Sequence, residues 1–414
     1  MSGIDEKPRL LVLTSTFPRW PDDHEPPFVY DLARHLTDRF AVTVLAPHAP
    51  GAKRREMMAG IQVQRFHYAP ERLEKLAYAG GIPNRLRAYP WLYALVPLFL
   101  LAQTFAAWRL VRRLSPVAVH AHWLIPGGLI GVLLKNFSGR HFNLLVTAHG
   151  GDVYGMRGRL SAGLKRWVLR RADTVSVVST ALATALRASG VQPRDLVVQA
   201  MGADLSGLFV PQSRIPGPPT LVYAGRLVDK KGVDTLLHAA AIALRSLPDL
   251  RVTVAGHGPD LVRLRQFAES HGIAKNVTFS GPYVLAQLPT IYATADLAVF
   301  PFRAAPDGDQ DGLGLAVIEA MGCEVPVLGS DIGPFDDLLE PGVTGLCAPA
   351  NNPQAFADRI LEAIADPTAS RGRAKHARER VVARYDWPVV AARYAELLNS
   401  PITGSSANPR RADN

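Results

Sequence analysis

Cysteine is scarce in this sequence, with only Cys323 and Cys347 among 414 residues. Two thiols are too few for a disulfide framework or a cysteine metal cluster, and they suit a reducing compartment. The N-terminus has no apolar stretch after its charged residues, so we expect no secretory signal and a cytoplasmic protein. A basic tail and zinc-finger spacing are also absent, which disfavours nucleic acid as a partner.

Positive charge, in contrast, is in excess, with a formal net charge of +10. This excess predicts an anionic partner, such as a nucleotide or a lipid head group. Apolar residues make up 48% of the chain and charged residues 20%, which is a globular composition. A chain of this length favours two domains over one.

We expect five segments along the chain. The proline-rich run S-R-I-P-G-P-P-T that ends at Thr220 marks a linker. The last residues are polar, which predicts disorder. The predicted segments are an N-terminal domain at residues 1–210, a linker at 211–220, a C-terminal domain at 221–385, a helix at 386–400 that packs back on the N-terminal domain, and a disordered tail at 401–414.

Both halves alternate short apolar runs with helical patterns, which predicts an α/β fold with doubly wound parallel sheets. Ligands bind such sheets at the carboxyl ends of the strands. The loop after the first apolar run, Leu10–Thr14, lies at that edge and contains Phe17, Asp22 and His24. We therefore predict that these three residues contact a polar acceptor, although solvated loop charges remain the alternative for the two polar ones.

The most apolar stretch of the chain is Tyr89–Trp108, which is about long enough to span a bilayer. Two prolines interrupt it, arginines flank both ends, and the βα alternation continues on either side, so we do not expect a span. One hypothesis is a helix that is partly core and partly dipped into an anionic membrane surface, with the arginines on lipid phosphates. The alternative is a fully buried crossover helix.

His149 follows a predicted strand and is itself followed by Gly150, Gly151 and Asp152. This is the strand edge at which α/β sheets carry out chemistry. Glycine neighbours expose a histidine, and an acid lies three residues further on. A lone histidine is more often structural, but this setting favours a site that includes His149, Gly150 and Asp152.

In the second half, cations and acids occur where predicted strands lead into helices. Arg226 and Lys231 lie five residues apart across a turn, close enough to bind one diphosphate. Asp311 and Glu319 lie on either side of a glycine-containing turn into a predicted helix, Leu315–Met321. Carboxylates accept hydrogen bonds from hydroxyls and a helix N-terminus suits phosphate, so this combination predicts a nucleotide-sugar site.

Two common motifs are incomplete in this half. The sequence G-H-G-P after Ala255 lacks the third glycine of the dinucleotide fingerprint, so NAD binding is not supported. No convincing divalent-metal motif occurs, since Asp307-Gly308-Asp309 has only a loop setting. We therefore predict no cofactor and no metal, with the leaving diphosphate stabilised by Arg226, Lys231 and the helix N-terminus.

Several motifs together resemble family 4 of the retaining glycosyltransferases, and the resemblance extends across most of the chain. The motifs are V-T-A-H-G-G-D at 146–152, M-G-A-D at 201–204, G-R-L-V-D-K-K-G at 225–232, A-G-H-G-P at 255–259, D-G-L-G-L-A-V-I-E-A-M-G-C at 311–323 and E-P-G-V-T-G-L at 340–346. The resemblance implies the GT-B fold, in which two Rossmann-like domains face each other across a cleft.

The resemblance also implies roles for individual residues. Arg226 and Lys231 match the pair that binds the donor diphosphate, and Glu319 matches the acid that holds the ribose. Asp311 stands where the family usually has a glutamate that contacts the donor sugar, and His149 matches a histidine near the reacting sugar. The loop whose amides approach the sugar and phosphate is matched by Leu313, Gly314 and Leu315. Glu324 departs from the family, where glycine is common.

The implied reaction transfers a sugar from UDP or GDP to an acceptor hydroxyl, with retention of the anomeric configuration. The acceptor is expected to bind the N-terminal domain and to be a lipid-linked or cell-surface glycan precursor, with the protein peripheral at the inner face of the cytoplasmic membrane. Two alternatives stay open: a nucleotide-sugar 2-epimerase of the same fold, and a non-catalytic nucleotide-sugar-binding protein.

Overall fold

Two β-sheets follow one another along the chain, and short apolar strands that are buried on both faces lie at the centre of each. They are seen in a computed structural model that describes residues 7–20, 23, 25, 27–78, 80–155, 158–306 and 308–400. The predicted disordered tail, residues 401–414, lies outside the described residues.

The first sheet has eight strands in the order β3-β4-β2-β1-β5-β6-β7-β8. All neighbours are parallel except the hairpin of β3 and β4 at one edge. These strands are β1 (Arg9–Leu13), β2 (Ala41–Pro47), β3 (Arg55–Met58), β4 (Ile61–Phe66), β5 (Ala118–His122), β6 (Asn143–Ala148), β7 (Thr174–Val177) and β8 (Leu196–Val198). The hairpin is not predicted by the sequence analysis, which leaves residues 55–66 unassigned.

Seven α-helices accompany the described part of this sheet. They are α1 (Phe28–Leu36), α2 (Ile82–Ala88), α3 (Leu95–Leu114), α4 (Leu129–Phe137), α5 (Gly151–Tyr154), α6 (Arg159–Arg171) and α7 (Thr180–Ala188). The prediction for Phe28–Leu36 matches α1 at both ends, because its apolar residues recur at helical spacing and its buried face packs on the sheet.

The second sheet has six parallel strands in the order β11-β10-β9-β12-β13-β14. They are β9 (Thr220–Ala224), β10 (Arg251–Ala255), β11 (Val277–Gly281), β12 (Leu297–Phe300), β13 (Val327–Ser330) and β14 (Leu346–Ala348). This order is that of a Rossmann fold, whose direction of winding reverses between β9 and β12. The first sheet repeats the reversal between β1 and β5.

Eight further α-helices follow β9 in the described residues. They are α8 (Val233–Ala243), α9 (Leu261–Ser270), α10 (Leu288–Tyr292), α11 (Leu315–Gly322), α12 (Gly333–Asp336), α13 (Pro353–Ala365), α14 (Pro367–Tyr385) and α15 (Trp387–Asn399). The last one, α15, returns to the first sheet. There Asn143 donates a hydrogen bond to the Leu397 carbonyl (2.9 Å), and Trp387 stacks on His35. The domain boundaries stay a prediction.

The apolar stretch Tyr89–Trp108 forms a 3-10 turn and most of α3. One face of α3 packs on the first sheet through residues such as Phe99 and Val111, whereas Leu101 and Phe105 are 68% and 59% exposed. A fully buried crossover helix is therefore wrong. The segment Pro90–Leu114 is long and apolar enough to cross a membrane, and 33% of its most apolar 18-residue stretch is buried. Core helices of soluble proteins share this length and composition, so these two properties do not by themselves indicate a span.

Candidate active site

Loops from the two sheets meet at the carboxyl ends of their strands. The backbones of Gly150 and Gly312 approach so closely that a β-carbon on Gly312 would lie 2.2 Å from the His149 carbonyl oxygen. At a second contact, the Asp337 carboxylate accepts hydrogen bonds from the backbone N–H and the hydroxyl of Thr180, both at 2.7 Å. The first contact places His149 opposite the glycine turn at Asp311.

The turn that precedes α11 requires glycine. Gly314 has φ +90°, a left-handed conformation that costs other residues energy, and it is the N-cap of the helix. Leu315 is the first helical residue, while Leu313 is buried. The free backbone N–H groups at the start of α11 therefore lie at the mouth of the turn, where they can bind an anion. Among the predicted loop residues, Leu313 can act only through its backbone.

Asp311 lies in this turn and pairs with two lysines. Its carboxylate accepts a hydrogen bond from Lys231 and lies 3.3 Å from the ammonium of Lys230. Burial alone would raise the pKa of Asp311, but Lys231 and Lys230 hold it well below its usual range. Burial lowers the pKa of Lys231, and its ammonium also lies 3.7 Å from the ring centre of Phe302.

Glu319 lies in α11, just over one turn from its first residue, as predicted. In the described part of the chain, its carboxylate has no hydrogen-bond partner. Burial raises the pKa of Glu319 to about 7, while the charge of Lys231 acts in the opposite direction. A half-buried, unpartnered carboxylate at this position is suited to accept hydrogen bonds from hydroxyls.

Arg226 is the exposed member of the predicted cation pair. It follows β9 and the left-handed Gly225, and its own carbonyl accepts a hydrogen bond from the buried Tyr223 hydroxyl at 2.9 Å. Its charge contributes to lowering the pKa of Asp311. A β-carbon on Gly80 would lie 4.0 Å from one of its guanidinium nitrogens, so a loop of the first sheet lies against it.

His149 is held by aromatic neighbours and by a second histidine. Its Nε2 lies 3.0 Å from Nδ1 of His122, and its ring packs against Phe28 and Trp123. Burial lowers the pKa of His149 to about 3, so the ring is neutral at ordinary pH. His122 is buried at the end of β5 and orients the His149 ring.

The structure argues against direct acceptor contacts by two predicted residues. The Asp152 carboxylate is buried, and it accepts hydrogen bonds from the backbone N–H groups of Leu124, His149 and Gly150 at 2.8–3.1 Å. It therefore positions the histidine loop. Phe17 is fully buried and packs edge-on against a tyrosine, so it belongs to the core. Asp22 and His24 lie outside the described residues.

Two residues of the site were not predicted from the sequence. Lys230 forms ion pairs with Asp309 and Asp311. From sequence, its position next to Lys231 suggests a side chain that points away from the site into solvent. His122 is separated from His149 by a whole βα unit, so only the pairing of β5 with β6 brings them together. The repeated histidines of A-V-H-A-H at the end of β5 were the available signal.

Two family profiles match consecutive parts of the chain. Residues 27–206 match "Glycosyltransferase Family 4", and residues 209–380 match "Glycosyl transferases group 1". Together the two matches cover most of the sequence.

Curated relatives are similar over shorter or more divergent stretches. A GDP-mannose-dependent α-(1-6)-phosphatidylinositol monomannoside mannosyltransferase of Mycobacterium tuberculosis is 33% identical over 45% of this chain and 48% of its own length. The chain thus spans about half the length of this relative. Glycogen synthase of the same organism is 28% identical over 69% of each chain.

Solved structures show the fold. Sucrose-phosphate synthase from Thermosynechococcus elongatus superposes with a TM-score of 0.77 at 23% identity, covering 94% of this chain and 98% of the other. HepE of Anabaena, solved in complex with UDP, gives 0.73 at 20% identity over 95% and 100%. Two parallel-rich sheets, their winding order and these superpositions confirm the predicted GT-B fold. With both family profiles matched, the chain belongs to the family 4 glycosyltransferases.

Proposed function

We propose that this protein is a retaining glycosyltransferase that moves a sugar from a UDP- or GDP-sugar to an acceptor hydroxyl. The observation that carries the proposal is the group of Lys231, Asp311 and Glu319 around the N-terminal end of α11, opposite His149. Cations and free N–H groups suit a diphosphate, and carboxylates suit the hydroxyls of ribose and sugar.

Without a donor, Lys231 pairs with Asp311. The donor diphosphate would replace Asp311 as the partner of Lys231. Arg226 is exposed and can bind the same diphosphate as a planar fork. These cations and the helix N-terminus would stabilise the charge that develops on the leaving group, without a metal ion. The unpartnered Glu319 would accept hydrogen bonds from the ribose.

The reaction centre would lie between Asp311 and His149. Neutral His149 can donate or accept a hydrogen bond at the sugar, but it is not a base strong enough to remove the acceptor proton alone. We favour attack from the face of the leaving group, with the departing phosphate accepting that proton. The C1–oxygen bond to phosphate breaks as the bond to the acceptor oxygen forms, and the configuration is retained.

Substitution of the donor residues tests this proposal. Lys231→Ala and Glu319→Ala should each lower kcat/KM by about a hundredfold or more, since each removes a charge that contacts the donor. The exposed Lys275 lies outside this group of residues, so Lys275→Ala is the matched control. Full activity in both donor-site variants would refute the proposal.

Product analysis separates the alternatives. A 2-epimerase would convert the donor sugar without an acceptor, whereas a transferase would release nucleoside diphosphate in proportion to the glycosylated product. A binding protein would show calorimetric binding of the nucleotide sugar and no turnover across acceptors. The name of the mannosyltransferase relative makes GDP-mannose a suitable first donor, and the UDP complex of HepE makes UDP-glucose a second.

We further propose that the acceptor is lipid-linked and that α3 binds an anionic membrane surface from the cytoplasmic side. A groove of about 750 Å³ lies between α3 and the β3–β4 hairpin, with Phe105 and Trp108 in its wall. Six arginines line it. Arg65 pairs with Glu56, whereas the other five form no ion pair within the described ranges. They are Arg54, Arg55, Arg109, Arg112 and Arg113. Apolar and cationic groups together fit the boundary of an anionic bilayer.

Vesicle flotation tests the membrane contact. Vesicles that contain phosphatidylglycerol should capture the protein, and capture should weaken with salt and on replacing Arg109, Arg112 and Arg113 by glutamine. The control replaces three exposed arginines after β9, namely Arg245, Arg265 and Arg371. Equal capture of both triple variants would refute the electrostatic argument. Transfer of sugar to a soluble acceptor should be unchanged in both variants.

A further inference from the structure

Outside the donor site, His48, His67 and Glu74 bring one ligand atom each to within 4.8 Å of one another. His48 directly follows β2 and His67 directly follows β4, and these parallel neighbours pair Pro47 with Phe66. The two histidines therefore occupy equivalent positions at the carboxyl edge of the sheet. Their ring centres are 3.9 Å apart. We propose that this trio binds a divalent transition-metal ion such as Zn²⁺.

Glu74 is the buried anion of the group. Its side chain is fully buried, with one oxygen 2.6 Å from Nδ1 of His48 and the other 3.1 Å from Nδ1 of His67. Its Oε1 also accepts the backbone N–H of Tyr68 at 3.2 Å, which fixes its orientation. A buried carboxylate requires a compensating positive charge, from a protonated partner or from a metal.

His48 shows the hydrogen-bond pattern of a metal ligand. Its Nε2 lies 3.0 Å from the Ala52 carbonyl oxygen, which can only accept, so Nε2 carries the hydrogen. In the neutral ring, the lone pair of Nδ1 then faces the Glu74 oxygen. Two lone pairs at 2.6 Å repel unless a proton or a cation lies between them. Metal-binding histidines commonly donate their second N–H to a backbone carbonyl in this way.

The spacing and the donor types favour Zn²⁺ over Mg²⁺ or Ca²⁺. Tetrahedral zinc with bonds of about 2.0–2.1 Å separates its ligand atoms by about 3.3 Å. The three donors here lie between 2.6 Å and at most 4.8 Å apart, which brackets that separation. Two of the three donors are imidazole nitrogens, which suit zinc and its neighbours, whereas the hard ions prefer oxygen. His67 is partly exposed, so an ion can enter from solvent and keep a water as its fourth ligand.

The ion would fasten the segment that runs from β4 to the donor site. Tyr78, four residues after Glu74, donates a hydrogen bond to the Pro47 carbonyl at 2.6 Å, and Gly80 lies against Arg226. The trio shares no residue with the donor site, so the ion would play a positioning role and leave the leaving-group chemistry unchanged.

Metal binding is tested with the full chain after treatment with EDTA and dialysis. Calorimetric titration with Zn²⁺ should give about one bound equivalent, and the melting temperature should rise with added Zn²⁺. Removal of one ligand in His67→Ala should weaken binding at least tenfold. His67→Gln is the second variant, and the exposed His141, which is not part of the trio, provides the control His141→Ala.

Cobalt provides a direct signature of the coordination. Co²⁺ bound in place of Zn²⁺ should give the visible absorption of a tetrahedral site, and both His67 variants should lose it while retaining their circular dichroism. Absence of a bound equivalent in the wild-type chain, or equal binding in the His67 variants, would overturn the proposal and leave a protonated His48–Glu74 ion pair. Donor binding, measured on the same samples, separates this result from a failure of the proposed transferase activity.

Discussion

The unpartnered Glu319 should make the stability of this protein fall as pH rises. Its pKa is raised to about 7 by burial, from an ordinary value of 4.5. The folded protein therefore holds a proton that the unfolded chain has lost between these values. The stabilising contribution of the protonated form is complete below 4.5 and is lost as pH rises through 7.

The magnitude follows from the two pKa values. The full shift corresponds to about 3 kcal/mol of unfolding free energy, and about 2 kcal/mol of it falls between about pH 5.5 and 8.5. Because Glu319 is only partly buried by surface area, solvent screening should reduce the observed effect to about 1–2 kcal/mol.

Glu319→Gln removes this dependence while keeping the size of the side chain. Urea unfolding of both proteins across that pH range should show the variant gaining about 1–2 kcal/mol over the wild type as pH rises. Donor affinity should move in the opposite direction in the wild type, since ionised Glu319 accepts ribose hydrogen bonds better. A constant difference in stability between the two proteins would refute the assignment of a raised pKa.

Three further predictions concern the loops that meet across the cleft. Gly312→Ala should lower kcat about tenfold or more, because its β-carbon would displace the His149 carbonyl, whereas Gly151→Ala has open space and is the control. Small-angle scattering should show a more open molecule for Gly312→Ala alone. Asp152→Asn should cost about 1–3 kcal/mol in urea unfolding, because an amide cannot accept on both sides. His122→Phe should lower kcat about tenfold with little change in KM, since it leaves His149 without its hydrogen bond.

Each of these three has a contradicting result. Equal activity of the Gly312 and Gly151 variants would show that the close approach is not used in catalysis. Unchanged unfolding of Asp152→Asn would mean that the buried loop does not depend on that carboxylate. A parallel loss of kcat and thermal stability in His122→Phe would assign His122 to the core.

The fold was largely predictable because apolar strands alternate with helical patterns. The run Leu144–Ala148 lacks polar residues apart from one threonine, so its burial in a parallel sheet follows from composition. The edge hairpin of β3 and β4 was not predicted, because β3 is short, charged and only half-buried. Edge strands need no continuous apolar pattern, so such patterns do not reveal them.

The site was predictable where local turn chemistry determines it. Gly314 and the helix after it follow from the sequence alone, because a left-handed turn into good helix formers requires glycine there. The hydrogen-bond and ion-pair partners of the site carboxylates were not predictable from the sequence. Asp311 pairs with Lys231 across 80 residues, and Asp152 faces three backbone N–H groups, which only the folded loops bring together.

The Lys231–Asp311 pair has a consequence for selectivity. Because Asp311 is attached to the same domain, it competes for the lysine at a high effective concentration that dilution cannot lower. A lone phosphate must displace Asp311 through its contacts with Lys231 alone. A ligand that also gains hydrogen bonds at Glu319 and at the N-terminus of α11 displaces it more easily. Under the proposed function, the tethered carboxylate would favour whole nucleotide donors over the abundant small anions of the cell.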